Sequence, residues 1–161
     1  MDRPRWTRVS SLWVGGQLSW LERLCLSSFA AKGYEVTLYS YDDLEVPRGV
    51  TSADARQVVP QALVFRNPRP SQSFAGFSNI FRYELMQKKP QEVWIDTDVL
   101  AGNSWLPDSE FLLGYESKRF VNGAVLRCPP NAAFLGALKT EASMIDKSTF
   151  KWGELGPKLI T

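Results

Sequence analysis

The pattern of hydrophobic and polar residues changes its period along the chain, which predicts alternating strands and helices. A β-rich stretch at 11–14 ends at a Gly-Gly pair, and YEVTLYS at 34–40 alternates as a half-buried strand does. Between them, Ser19 and Glu22 have the spacing of a capping box, and Gly33 suits the left-handed end of the helix that follows. Strand, helix and strand with short connections are typical of a parallel α/β sheet.

The rest of the chain continues this alternation. The segment 74–88 reads as a helix that places Phe77, Phe81 and Leu85 on one face. The further expected elements are a short helix capped by Ser52 and reaching 59, an irregular loop at 60–70, strands at 92–95, 111–114 and 123–127, a helix from Asn131 to about 145, and a last helical turn holding Pro157. The prediction is a single α/β domain over 1–161, with a mostly parallel central sheet flanked by helices.

Composition narrows the classes of function. The 161 residues are 44% apolar and 22% charged, and the net charge of +2 is too small to indicate nucleic-acid binding. No apolar run is long enough for a signal peptide or a membrane span, although peripheral contact with a membrane stays open. Histidine is absent, which excludes Ser-His-Asp triads and His-based metal sites. Two isolated cysteines favour reduced thiols and a cytoplasmic location.

The strongest chemical signal is the octet VWIDTDVL. A buried-type strand delivers Asp96 and Asp98 to the edge of the sheet where open α/β proteins bind ligands. Residues two apart on an extended chain point the same way, and two such carboxylates repel unless a cation lies between them. A divalent ion there also neutralises a diphosphate. The alternative is a solvated turn after a strand.

The same octet also resembles the first motif of haloacid-dehalogenase-type phosphatases, in which Asp96 is the nucleophile and Asp98 the acid/base. That motif usually lies on the first strand, whereas two strands and two helices are predicted before it here. The late acidic metal pair of such enzymes is missing as well, because Asp108 and Asp146 stand alone. We therefore keep the phosphatase as a minor alternative.

Three blocks of sequence, in order, span nearly the whole chain. They are LWVGGQLSWLERLCLSSFAAKGYEVTLYSYDDL, FSNIFRYELMQKKPQEVWIDTDVL, and FVNGAVLRCPPNAAF followed by GELGPKLIT. Together they resemble the glycosyltransferase family with a DxD sugar-binding region, which includes α-1,4-galactosyltransferases, α-1,6-mannosyltransferases and capsular-polysaccharide enzymes. That family is related to the glucosyltransferase domain of clostridial toxins. The resemblance implies a GT-A-type fold and metal-dependent, retaining transfer of a hexose from a UDP-sugar to a saccharide or glycolipid hydroxyl, in surface polysaccharide synthesis.

The resemblance also implies roles for individual residues. Trp13 matches the family tryptophan that stacks on the nucleotide base. The alternative interpretation of Trp13 is a core residue. Val14, Gly15 and Thr97 are expected to belong to the nucleotide-sugar site as well. Arg82 matches a donor-contacting arginine, the alternative being a solvated helix residue. Asp96 is expected to contact the sugar or the ribose of the donor and to support the metal. Asp98 is expected to ligate Mn²⁺ or Mg²⁺ directly. Asn122 resembles a polar residue on the sugar side.

Two departures from the family pattern weaken the expectation of activity. Asn79 replaces the usual aspartate one helical turn before Arg82, and Lys89-Pro90-Gln91 replaces Gly-Gly. Spacing puts Asn79 and Arg82 on one helical face, opposite Phe77, so a carboxylate at 79 is expected to hold the arginine. The family also continues beyond the Gly-Pro element, so a C-terminal portion is expected to be lacking. The rival hypothesis is a catalytically weak sugar-nucleotide-binding module.

Overall fold

A six-stranded sheet runs through the described part of the computed structural model, residues 5–102 and 105–161. The elements in chain order are β1 (Arg8–Trp13), α1 (Trp20–Ala31), β2 (Glu35–Ser40), β3 (Val50–Asp54), two short 3₁₀ turns (Ala55–Gln57 and Gln61–Leu63), α2 (Ala75–Lys88), β4 (Val93–Ile95), β5 (Leu112–Tyr115), β6 (Val121–Arg127), α3 (Ala133–Met144) and α4 (Pro157–Ile160). The predicted alternation of strands and helices is therefore confirmed.

The sheet is mostly parallel, and its strand order reverses once near the middle. The order is β3-β2-β1-β4-β6-β5. β1 pairs in parallel with both β2 and β4, with Val9 opposite Val36 on one side and Val93 on the other. β6 runs antiparallel to β4 and to β5. The chain builds outward from β1 in one direction through β3 and then returns to its other side with β4. This is the topology that leaves a crevice at the carboxyl ends of β1 and β4.

Helices cover both faces of the sheet, as the alternation along the strands requires. On β4, Val93 and Ile95 face one hydrophobic cluster, and Trp94 faces the other. Leu26 and Phe29 of α1 belong to the first cluster. The other is filled by apolar side chains of α2 and α3, among them Phe77, Phe81, Leu85, Leu135 and Leu138. The prediction that Phe77, Phe81 and Leu85 share a buried face is confirmed, because each is 0% exposed.

Local capping explains where α1 begins and ends. The Ser19 side chain accepts from Leu21 N at 3.2 Å, while Glu22 Oε2 accepts from Ser19 N at 2.7 Å, which completes the predicted capping box. Gly33 has a φ of +94°, the left-handed conformation that lets the chain turn into β2. The same logic holds at α4, where Pro157 occupies the first turn.

Three local predictions were wrong. Residues 50–54 form β3 instead of the start of a helix capped by Ser52, and Asp54 caps the 3₁₀ turn that follows. β3 is an edge strand whose middle residues are exposed, so it lacks the hydrophobic alternation that marks a strand. Asn131 does not cap α3, which begins after Ala132 without a side-chain cap. β1 begins at Arg8, earlier than predicted, and it pairs with β2 from Arg8 opposite Glu35 onward.

No helix within the described residues is long and apolar enough to cross a membrane.

Candidate functional site

The ends of three neighbouring strands meet at one edge of the sheet. β1 ends at Trp13 and β4 ends at Ile95, and both are parallel, so their following residues lie at the same edge. β6 runs the other way, which brings its beginning, with Asn122, to that edge. The backbone closes the junction, because Asp96 N donates to Ala124 O at 2.7 Å. The predicted residues of β1, β4 and β6 are thus gathered by topology alone.

Two adjoining cavities open at this edge. The larger, here called the donor cleft, has a volume of about 460 Å³ and is lined by the predicted residues Trp13, Val14, Arg82, Asp96, Thr97 and Asp98. The smaller, here called the polar chamber, has about 190 Å³ and is lined by Asn79, Arg82, Asp96 and Asn122. Ala75, Arg82 and Asp96 belong to both walls. The donor cleft lies in the size range of about 300–1,000 Å³ usual for small-molecule sites.

Gly15 is the predicted site residue that lines neither cavity. It has a φ of +78° and Gly16 has +64°, so the pair forms the turn after β1 that side chains would strain. Trp13 Nε1 donates to Gly16 O at 3.1 Å, which fixes the indole against this turn. Trp13 is half-buried, and one side of it faces the donor cleft. Gly15 therefore shapes the loop that orients Trp13.

Arg82 is buried and fully engaged with protein groups, so the interpretation of a solvated helix residue is wrong. It is 5% exposed. Its Nη2 lies 2.9 Å from Asp96 Oδ1, its Nη1 donates to Gly123 O, and its guanidinium lies 5.0 Å from the centroid of the Trp94 ring. A Cβ on Gly123 would lie 2.7 Å from Arg82 Nη1, so the missing side chain there admits the arginine. Arg82 is built into the wall between the two cavities.

The two aspartates differ in their surroundings. Asp96 Oδ1 accepts from Trp94 Nε1 at 2.7 Å as well as pairing with Arg82. Asp98 is exposed at the donor cleft, and its carboxylate makes no hydrogen bond or ion pair within residues 5–102 and 105–161. No group of three or more His, Cys, Asp or Glu side chains that could hold a metal occurs in those same residues. The two carboxylates are hard oxygen donors of the kind Mg²⁺ and Mn²⁺ accept, but six-coordination needs further oxygens from phosphate and water.

The segment after Asp98 is fastened to α1. The Ser28 hydroxyl accepts from Ala101 N at 2.9 Å and donates to Cys25 O at 2.6 Å. Cys25 is buried beneath this segment, and its burial, followed by the charge of Asp98, raises the pKa of the thiol. Helix α1 therefore holds the position of the Asp98 loop.

Asn79 makes no hydrogen bond to Arg82 within the described residues. Its Nδ2 donates to Ala75 O at 3.0 Å, one turn back along α2. A Cβ on Gly156 would lie 3.0 Å from Asn79 Nδ2, so the chain before α4 passes directly over this amide. The carboxylate partner of Arg82 comes from Asp96 instead. Asn79 still borders the polar chamber beside Arg82 and Asn122.

Sequence reasoning missed the part of the donor cleft that α2 contributes. Phe74 and Ser78, at the start of α2, also line it. Ser11 also lines it, and its hydroxyl is buried without a hydrogen-bond partner within the described residues. The irregular stretch before α2 has no periodicity that would have placed Phe74. For Ser11, the signal was a polar residue inside a buried strand.

The topology and the position of this site define the class of fold. A six-stranded, mostly parallel sheet covered by helices, with its crevice at the switch point, is the GT-A-type nucleotide-diphospho-sugar transferase fold, which confirms the predicted fold class. The solved structure named PaToxG Glycosyltransferase matches with a TM-score of 0.70 and 14% sequence identity, over 98% of this chain and 67% of that chain. No family model and no curated protein matches the sequence. The comparison establishes a shared fold.

Proposed function

We propose that the protein is a metal-dependent glycosyltransferase that moves a hexose from a nucleoside-diphosphate sugar, preferably a UDP-sugar, to a hydroxyl of a saccharide or glycolipid. The observation that carries the proposal is the position of Asp96 and Asp98. They follow a central strand at the switch point of a glycosyltransferase fold and face a cleft of about 460 Å³ with Trp13 in its wall. An aromatic ring and two carboxylates in the wall of one cleft suit a base and a cation-bound diphosphate.

Each wall of the site has a task in this reaction. Trp13 stacks on the base, and Asp98, with Asp96 behind it, would hold the cation. The cation, when bound, offsets the charge of the leaving diphosphate. Arg82 keeps the Asp96 carboxylate in place through its 2.9 Å contact. The hexose then extends toward the polar chamber, where Asn79 and Asn122 offer amide groups to its hydroxyls.

The chemical step exchanges one bond for another at the anomeric carbon. The bond from that carbon to the phosphate oxygen breaks, and its electron pair leaves with the diphosphate. A bond from the acceptor oxygen forms on the same face, so the configuration is retained. The acceptor's proton passes to the departing diphosphate. Holding donor and acceptor in a reactive orientation contributes to the rate enhancement in such a site.

Asp96 and Asp98 can supply only part of the oxygen ligands that a divalent cation needs. Because Asp96 Oδ1 already accepts from Trp94 and pairs with Arg82, the protein alone offers a cation few free oxygens. Mn²⁺ or Mg²⁺ is therefore expected to bind tightly when the diphosphate supplies the remaining oxygens, and weakly without it.

A sugar-nucleotide-binding module without turnover is the second candidate. The specific observation in its favour is Asn79, an uncharged residue whose amide is partly used by Ala75 O. The phosphatase hypothesis has less support. Asp108 pairs with Arg5 at 3.5 Å, and Asp146 caps a turn through Ser148 and Thr149, so neither joins Asp96 and Asp98. The fold likeness to a glycosyltransferase also favours the first proposal.

The state of the two cysteines bears on the compartment in which the protein acts. Cys25 and Cys128 are free and buried, which supports a reducing compartment, and we assign the activity to the cytoplasm. A saccharide or glycolipid acceptor there fits the assembly of surface polysaccharide.

Calorimetric titration tests the proposal. UDP, UDP-glucose, UDP-galactose and GDP-mannose are titrated with and without Mn²⁺, and release of the nucleoside diphosphate is followed in parallel. Mn²⁺-dependent binding of a uridine nucleotide together with slow donor hydrolysis supports the transferase. Binding without any turnover, with or without acceptors, favours the module. Absence of nucleotide binding refutes both.

A further inference from the structure

A third cavity continues the site outward from the polar chamber. This outer groove, with a volume of about 270 Å³, lies between residues 67–71 and 149–152. It shares Asn67, Phe150 and Trp152 with the polar chamber, just as the chamber shares Arg82 and Asp96 with the donor cleft. The three cavities therefore lie side by side from Asp98 outward, and each shares part of its wall with the next.

Trp152 lies at the junction of the outer groove and the chamber with its ring exposed. Its exposed fraction is 67%. Within the described residues 5–102 and 105–161, its side chain makes no hydrogen bond, aromatic contact or cation–π contact. An exposed tryptophan beside a polar cavity offers a flat apolar surface on which a ligand can stack.

The backbone that carries Trp152 is nevertheless fixed. Phe150 is buried and packs edge-on against Phe65 with 5.9 Å between ring centroids. Glu154 Oε2 accepts from Lys151 N at 2.8 Å, and Leu155 O accepts from the Tyr83 hydroxyl at 2.9 Å. The chain is anchored on both sides of Trp152, which fixes the position from which the indole extends.

Asn67 supplies a polar group at the same junction. It is 4% exposed, and its Oδ1 accepts from Gly76 N at 2.8 Å, which identifies the other amide atom as the donor. That Nδ2 has no acceptor among residues 5–102 and 105–161. An amide donor without a protein partner at the border of two cavities can donate to a ligand.

We propose that the outer groove is the acceptor subsite and that it takes a saccharide, with one sugar ring on the Trp152 indole and a hydroxyl on Asn67 Nδ2. The inference rests on the proposed function, because the acceptor must reach the anomeric carbon from outside the donor cleft. A sugar ring has an apolar face of C–H groups and a rim of hydroxyls, which matches an exposed indole next to an amide. Trp152, Arg82 and Asp96 all line the polar chamber, so an acceptor on Trp152 lies beside the chamber that borders the donor cleft.

Direct binding of carbohydrate tests this assignment on the intact protein. Tetrasaccharides of glucose, galactose, mannose, N-acetylglucosamine and galacturonic acid are titrated calorimetrically. At least one is expected to bind. Trp152→Ala is expected to weaken that binding roughly three- to tenfold, and Trp152→Phe to restore most of it, because stacking needs a ring. Trp20→Ala, which removes an indole of similar exposure (75%) on α1, is the matched control and leaves the affinity unchanged.

The dissociation constant of UDP with Mn²⁺ separates this inference from the proposed function. If UDP fails to bind the wild-type protein, the proposed function fails, whatever the saccharides do. If UDP binds but no tetrasaccharide does, or if Trp152→Ala binds the tetrasaccharide as tightly as wild type, the acceptor assignment is overturned. A Trp152→Ala protein that loses UDP affinity overturns it too, since the indole then serves the donor.

Discussion

Arg82 Nη2 lies 2.9 Å from Asp96 Oδ1, and the two side chains together form the wall between the donor cleft and the polar chamber. The pair comes from two elements that the chain order separates, the middle of α2 and the end of β4. Its members are unequally buried, because the arginine side chain is 6% exposed and the aspartate 31%. Arg82 therefore offsets the charge of Asp96 and fixes its orientation, while Asp98 stays available to a cation.

Breaking this pair is expected to destabilise the fold. Arg82→Met leaves the Asp96 carboxylate without its cation and Gly123 O without a donor. We expect a loss of about 3 kcal/mol in the free energy of unfolding, the low end for a broken buried pair, since Asp96 stays partly solvated. Urea unfolding measures it. Arg8→Met is the matched control, because Arg8 pairs with Glu35 at the same 2.9 Å on the surface and its loss should cost under about 1 kcal/mol. Equal costs for the two variants would contradict the structural role of Arg82.

Asp98→Asn is expected to abolish the Mn²⁺-dependent part of UDP binding and to leave the protein folded. The carboxylate is exposed and unpaired within the described residues, so its removal should change the free energy of unfolding by less than about 0.5 kcal/mol. Calorimetry with and without Mn²⁺ gives the affinity. Asp108→Asn serves as the control, because that aspartate is equally a surface residue and pairs with Arg5 instead. Wild-type affinity in Asp98→Asn would show that the metal assignment is wrong.

Trp13→Ala is expected to weaken UDP and all UDP-sugars by the same factor, about tenfold, because stacking on the base does not depend on the sugar. The change should appear in Kd or KM and not in sugar preference. Trp13→Phe keeps a ring at the cleft and should recover much of the affinity. Trp13 also packs against the hydrophobic cluster that contains Val9 and Leu26. If thermal melting shows that Trp13→Ala unfolds, the main role of Trp13 is this core packing and not base stacking.

The sheet architecture and the placement of Trp13 and Asp96 at one sheet edge were predictable because they depend on local sequence signals. A capping box, a left-handed glycine and alternating strands determine the strand–helix–strand unit. Once β1 and β4 are parallel neighbours, Trp13 and Asp96 must lie at one edge. The edge strand β3 was missed because its exposed residues, Thr51 and Ser52, lack hydrophobic alternation.

Contacts between distant segments were beyond such reasoning. Spacing along α2 placed residues 79 and 82 on one helical face, but it could not identify Asp96, a residue beyond the end of β4, as the partner of Arg82. The same holds for Phe74, at the start of α2, which lines the donor cleft and whose ring would lie 3.6 Å from a Cβ on Gly15. Pairings of this kind depend on tertiary packing.

Alkaline pH is expected to unfold the protein through its buried tyrosines. Burial raises the pKa of Tyr39, Tyr41 and Tyr83 to about 12, above the value of about 10 for an exposed phenol. The folded state thus holds these protons more tightly than the unfolded state. Their contribution to stability is complete below pH of about 10 and is lost as the pH rises toward 12.

Phenolate absorbance and circular dichroism, followed together during the titration, check this expectation. The late phenolate signal and the loss of secondary structure should coincide. Tyr39→Phe keeps the ring and removes one ionisation, so its alkaline midpoint should lie higher than that of the wild type. Complete ionisation of all five tyrosines with the dichroism intact would contradict the expectation.

The last prediction concerns Asn79, which borders the polar chamber beside Arg82 and Asn122 and lies under Gly156. Because Asp96 already pairs with Arg82, a carboxylate at 79 is not needed to hold the arginine, and its effect should fall on the hexose. Asn79→Asp replaces a neutral amide with a charged acceptor for a sugar hydroxyl. It also removes the hydrogen bond that Asn79 Nδ2 donates to Ala75 O at 3.0 Å. The free energy of unfolding is therefore expected to fall by about 1 kcal/mol.

We expect Asn79→Asp to raise turnover with at least one nucleotide sugar about tenfold, equivalent to about 1.4 kcal/mol in the barrier. Release of the nucleoside diphosphate from a panel of donors measures it, and Asn122→Asp, which places the same charge on β6 in the same chamber, tests whether position matters. A fall in activity would mean that asparagine is adapted to this protein's own donor. No change in either binding or turnover would mean that residue 79 does not face the donor. In that case the donor-side roles assigned to α2, including that of Arg82, would be withdrawn, while the assignment of Asp98 to the cation would stand on its own test.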